Sequence, residues 1–180
     1  MPQHSPGEAG DTAPSAEACR EYFRKLTAGV AVVTACGANG WSASTASTVT
    51  SVSLAPPVIL CCLSQGSDTL ATIRNARRFA VHLLADHQGD IADRCSRLPS
   101  GSSRLTDLQD EVRLIHGAPT IPGTLAVSWC DLHSITEVGD HVVVYGQLSS
   151  VHVSHGRPLL WHDRSYRALD TGVESVVTRL

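Results

Sequence analysis

Trp41-Ser42-Ala43-Ser44-Thr45-Ala46-Ser47-Thr48-Val49-Thr50-Ser51-Val52-Ser53-Leu54 is the stretch on which the reading of this chain turns. Eight of its fourteen residues are Ser or Thr and none is charged. A polar run of that kind is ordinarily a linker. Here it is interleaved with Val and Ala, and it runs through Ala55-Pro56-Pro57 into the apolar segment Val58 to Leu63. That setting reads as one strand carrying a row of hydroxyls inside a folded domain. Uncharged hydroxyls and backbone amides suit a planar ligand rich in hydrogen-bonding groups better than they suit acid/base chemistry.

Working outward, Gly29 to Cys36 reads as a strand, and Gly37-Ala38-Asn39-Gly40 as the turn, since Asn-Gly is a strong hairpin signal. Upstream, Ser15 can cap a helix to about Leu26, with Ala18, Tyr22, Phe23 and Leu26 as its apolar stripe. Met1 to Ser15 is nearly devoid of apolar residues and is expected to be a disordered tail, leaving 16–180 as one domain. Downstream, Pro56-Pro57 breaks the ladder before a strand over Val58 to Leu63. Ser67 or Asp68 caps a short helix, Thr69 to Ala76, followed by a strand over Arg78 to Leu84 and a helix over Gln88 to about Cys95. Arg97 to Asp110 reads as a long loop. Strands over Gly123 to Glu137 and Val142 to Val153 flank a turn at Val138-Gly139-Asp140-His141, and Leu159 to Trp161 is a short last strand. Many short strands with few helices predict a mainly β fold, a closed or partly closed barrel. The absence of βαβ alternation argues against a doubly wound sheet.

The chain has 180 residues, 42% hydrophobic and 17% charged, with a net charge of -3. That supplies a core and suggests neither nucleic acid nor an anionic membrane as partner. No apolar run approaches the roughly 20 residues of a spanning helix. Met1 to Ser15 lacks the basic and apolar regions of a secretory signal, so a cytoplasmic protein is expected. The six cysteines form no C-x-x-C pair and read as reduced thiols, with Cys61 and Cys62 on opposite faces of a strand. His152, His155 and His162 lack the Cys or carboxylate pattern of a zinc site, and no metal is expected. The dinucleotide, phosphate-loop, nucleophile-elbow and H-E-x-x-H motifs are missing.

Several stretches, taken in order, resemble the flavin reductase family. They are Gly29 to Ala35, Thr45 to Pro57, Ser67-x-Thr69 with Ile73, Phe79-Ala80-Val81-x-Leu83, Gly139-Asp140-His141 leading to Gly146, and Pro158 to His162 with Tyr166. The resemblance spans about Glu17 to Leu169. It implies an FMN-binding split β-barrel of Greek-key-like form, usually a homodimer with flavin near the subunit interface. It implies oxidation of NADH, or less often NADPH, and reduction of FAD or FMN, with the reduced flavin passing to a separate flavin-dependent monooxygenase. Such a reaction needs no protein nucleophile: the cofactors carry the chemistry and the protein aligns the rings.

By the same resemblance, Thr45, Ala46, Ser47, Thr48, Val49, Thr50 and Ser51 line the flavin, although alternate side chains of a strand must diverge. Ser67 and Thr69 match the phosphate-binding pair, with Arg74 or Arg77 to neutralise it; plain helix capping by Ser67 is compatible. His141 approaches the nicotinamide, unless it is simply a turn histidine bonded to Asp140. Tyr166, with Arg164 or Arg167 nearby, covers the flavin or dinucleotide, or packs in the core. Val49 stands where the family commonly has Phe, Trp41 where a small residue or Met is usual, and Ser100 to Ser103 replace a charged segment. The alternatives are a protein of the same barrel with other redox chemistry, such as a pyridoxamine-phosphate-oxidase-like enzyme, and a flavin binder without turnover.

Overall fold

Ser15 opens the first helix as expected, its hydroxyl accepting from Ala18 N at 3.2 Å. The computed structural model describes residues 13–97, 105 and 111–169, so most of the expected tail and most of the Arg97 to Asp110 loop lie outside the described residues. Helix α1 (Ala16–Arg24) stops two residues short of Leu26, and none of its residues is buried. The chain continues through β1 (Ala28–Gly29), β2 (Ala31–Gly37), β3 (Gly40–Ala46), β4 (Val49–Leu54) and β5 (Pro57–Ser64). After α2 (Asp68–Ala76) come β6 (Arg78–Leu83), α3 (Gly89–Arg97), and the small hairpin of β7 (Arg113–Ile115) and β8 (Ala118–Thr120). The long hairpin β9 (Ala126–Val138) and β10 (His141–Val153) follows, then β11 (Leu159–His162) and β12 (Ser165–Ala168).

The expected single hydroxyl-rich strand is two strands. Seven antiparallel strands run in the order β3-β2-β6-β9-β10-β5-β4, so the two halves of the run sit at opposite ends of the sheet. Only Ser47 and Thr48 join them. Three Cα steps from Ala46 to Val49 reach at most about 11 Å. The sheet must therefore curl until its outer strands meet. No ladder pairs β3 with β4 among the described residues, so the resulting barrel is split along one seam.

Alternation explains why Val30 to Ala35 are buried without a break. Ala31, Val33 and Ala35 face the barrel interior with Phe79, Val81, Val142 and Val144. Val30 and Val32 face outward into a second core with Leu84, Ala92, Cys95 and Leu159. Gly146 sits where β10 shifts register against β9, and a Cβ there would lie 2.5 Å from Phe79 Cζ. The β7–β8 hairpin, which the sequence reading passed over, turns at His116 (φ 49°) and Gly117 (φ 83°). It is pinned to the barrel wall by buried Thr34, whose hydroxyl donates to Pro119 O at 2.6 Å. His82 Nε2 lies 3.2 Å from the same carbonyl and 3.1 Å from Thr34 Oγ1.

Candidate functional site

The seam opens as three adjoining hollows. One of about 410 Å³ lies between Ser44, Cys62, Ser64, Ser67 and His141. One of about 740 Å³ is bounded by Ser47, Thr48, Cys62, His141, Trp161 and the inner side of α1. A smaller one of about 230 Å³ lies among Thr45, Ser47, Asp93, Trp161 and Tyr166. Cys62 and His141 are common walls of the first two, and Ser47 and Trp161 of the last two, so the three form one groove.

Seven of the residues singled out in the sequence line this groove: Thr45, Ser47, Thr48, Ser67, His141, Arg164 and Tyr166. The others are placed differently, as a period of two requires. Ala46 is buried in the barrel core and Val49 packs against that core. Thr50 and Ser51 are exposed on β4 and line none of the three hollows. Thr69 is buried behind the wall, its Oγ1 2.9 Å from Ser44 Oγ. Thr45 ties β3 to α3 by donating to Ala92 O at 2.6 Å.

Ser67 precedes α2 but its hydroxyl makes no capping bond; it lies 3.2 Å from Ser44 Oγ instead. The first amides of a helix have no partner within the helix and attract anions. Asp68 shares this end of the groove. Neither arginine considered for neutralisation does so: Arg74 bridges Glu137 at 2.7 Å, and Arg77 caps the far end of α2 with Nη2 on Leu132 O at 3.2 Å.

His141 is the first residue of β10, opposite Ser64 of β5. Its Nδ1 lies 2.8 Å from Asp140 Oδ1, which holds the Asp140 carboxyl below its ordinary range. The bond to Asp140 and the place in the groove coexist, so the two readings of His141 are not exclusive. Tyr166 donates from its hydroxyl to Asp93 Oδ1 at 3.1 Å, and its ring meets Trp161 edge-on at 5.0 Å. Both rings also pack against the outer core.

Ser44, Cys62 and Trp161 are groove residues that the sequence reading did not assign to the site. Cys61 faces the core, and burial with the neighbouring Cys130 and Cys62 pushes its thiol up to about 12. Cys62 faces the groove, and burial raises it too, so it stays a neutral thiol and not a nucleophilic thiolate. His162 lies beside Thr27, Nδ1 to Oγ1 2.9 Å, and no group of three or more potential metal ligands occurs among the described residues. Along its inner walls the groove offers hydroxyls, the His141 imidazole and the rings of Trp161 and Tyr166, with Asp68 and Asp93 at its sides. It can hold and orient a flat polar molecule.

A model of the flavin reductase-like domain matches residues 23–170. The chain belongs to the flavin reductase family. It is 34% identical to the actinorhodin polyketide dimerase of Streptomyces coelicolor over 83% of this chain and 84% of that protein. It is 32% identical to the NADH:FMN oxidoreductase of Rhodococcus erythropolis, over 82% of this chain and 78% of that protein. BorF, the flavin reductase component of a bacterial two-component tryptophan halogenase, superposes with a TM-score of 0.79 at 28% identity, covering 86% of this chain and 98% of BorF. The flavin reductase split barrel is therefore the fold of this chain, and the groove lies along its split.

Proposed function

We propose that this flavin reductase family member is a cytoplasmic NAD(P)H:flavin oxidoreductase. It takes a hydride from NADH, or less often NADPH, and reduces FAD or FMN for a partner flavin-dependent monooxygenase. The observation that carries this reading is the groove itself, which joins the Ser47-Thr48 hydroxyls, the start of α2 and His141 in one continuous hollow. The relative named NADH:FMN oxidoreductase supports the donor and acceptor, and BorF supports a two-component setting.

The residues present fit a flavin. Its ring and ribityl chain need neutral hydrogen-bonding walls, and its phosphate needs uncapped amides, which Ser67 leaves by bonding to Ser44. When bound, flavin supplies the hydride acceptor. The chain's own part is positioning: stacking two rings in one groove can account for about 7–11 kcal/mol of barrier. Trp161 and Tyr166 shield one side from water, and Asp140 fixes the orientation of the His141 ring. A homodimer would complete the groove from outside, and light scattering should return twice the 19.1 kDa chain mass.

Loss of NADH absorbance on adding FAD or FMN tests the proposal; no flavin-dependent loss would sink it. The similarity to a protein named a polyketide dimerase favours one second reading, a same-fold flavin binder with other chemistry. Tight flavin binding without NADH turnover would support that reading.

A further inference from the structure

The outer end of the largest hollow has a different character from the rest of the groove. Arg20 and Arg24 of α1 and Arg164 of the β11–β12 turn line it, together with Phe23 and Trp161. No carboxylate lines this hollow among the described residues. Elsewhere on the molecule Arg74, Arg78 and Arg157 are each bridged to an acid, at 2.7, 3.1 and 2.7 Å. Among the described residues the guanidiniums of Arg20, Arg24 and Arg164 have no ion pair or hydrogen-bond partner, and Glu17 and Glu21 on the same helix stay outside the hollow. Three unpaired cations gathered in a chain of net charge -3 repel one another unless an anion joins them.

The backbone is built to hold this arrangement. Asp163 N donates to Arg24 O at 3.2 Å, fastening the end of α1 to the turn that carries Arg164. Asp163 and Arg164 both have positive φ, 45° and 62°. A two-residue turn of this kind usually has Gly at its second position. Arginine at that position departs from this preference.

Resting on the reductase reading for the nature of the ligand, we infer that Arg20, Arg24 and Arg164 clamp the diphosphate of a dinucleotide whose reacting ring lies farther in, towards His141. Guanidinium pairs match phosphate oxygens in bidentate fashion, and Phe23 and Trp161 offer faces for an attached base. NADH and FAD both carry an adenosine diphosphate; FMN does not.

The test uses ADP as probe, titrated by calorimetry into the full-length protein, into Arg20→Ala/Arg24→Ala, and into Arg164→Gly. ADP should bind the wild type, and each variant should lose about ten- to a hundredfold in affinity. Arg164→Gly should keep or raise thermal stability, because glycine suits the turn, so its loss of ADP cannot be ascribed to unfolding. Equal ADP affinity in all three proteins, or none in any, overturns the clamp. Turnover then identifies the dinucleotide. A raised KM for NADH with FMN as acceptor assigns the clamp to the nicotinamide dinucleotide, and a raised KM for FAD alone assigns it to the flavin. Loss of ADP with both values unchanged overturns the assignment to a dinucleotide. A wild type that binds ADP through these arginines but never oxidises NADH would keep the clamp and remove the reductase reading.

Discussion

His141 and Ser67 mark two stations along the groove, and each makes a separable prediction. His141→Ala should raise the KM for NADH more than it alters flavin affinity; unchanged NADH kinetics would remove the imidazole from the site. Ser67→Ala should weaken FMN binding about three- to tenfold, the worth of one hydrogen bond. It should lower the melting temperature only slightly, because Ser67 makes no capping bond to lose and Ser44, its hydroxyl partner, keeps Thr69. A large drop in stability without a change in FMN affinity would return Ser67 to a structural role. Both residues were legible because their contexts are local: a turn-to-strand junction and a helix start. Ser44 and Cys62 were not. Cys62 differs from Cys61 only in which of the two points into the core, and Ser44 is marked only by its bonds across the fold to Ser67 and Thr69. Only the register of β3 and β5 decides that.

At the level of elements, the strand signals were sound and the pairing was hidden. The hydroxyl run scores as strand throughout, yet it breaks at Ser47-Thr48 because β3 and β4 belong to opposite edges of the sheet. No glycine or proline marks the break. Helix α1 was legible from its cap and apolar stripe, but Tyr22, Phe23 and Leu26 all stay exposed, with Phe23 and Leu26 bordering the groove. A stripe predicts an apolar face and not what covers it. The β9–β10 hairpin carries the sharpest constraint on packing. Gly146→Ala would place a methyl 2.5 Å from Phe79 Cζ and 2.9 Å from Cys130 Cβ. The expected cost is about 1–3 kcal/mol of stability, read as a lower midpoint in urea unfolding. An unaltered midpoint would mean that the Phe79 ring has room to turn aside.

For the molecule as a whole, acid stability is set in part by His82. Complete burial pushes it down to about 4 from an ordinary 6.5, so the folded protein keeps it neutral where the unfolded chain takes up a proton. The unfolded state then binds more protons between those two values. Stability should rise with pH across that window, by about 3 kcal/mol, and be flat above it as far as this group is concerned. Urea midpoints from pH 4 to 7 test this, and His82→Asn should flatten the slope. A wild-type slope that survives the substitution would assign the effect elsewhere. Closure of the barrel has a further consequence for tolerance to insertion. Ser47 and Thr48 are exposed and polar, the kind of place where an extra residue is ordinarily harmless. Here one inserted glycine would slip β4 (Val49–Leu54) by one residue against β5, turning its side chains to the opposite face, or loosen the closure between the two edges. Flavin affinity and the urea midpoint should fall together in that protein. At this point the chain is constrained in its length more than in its letters.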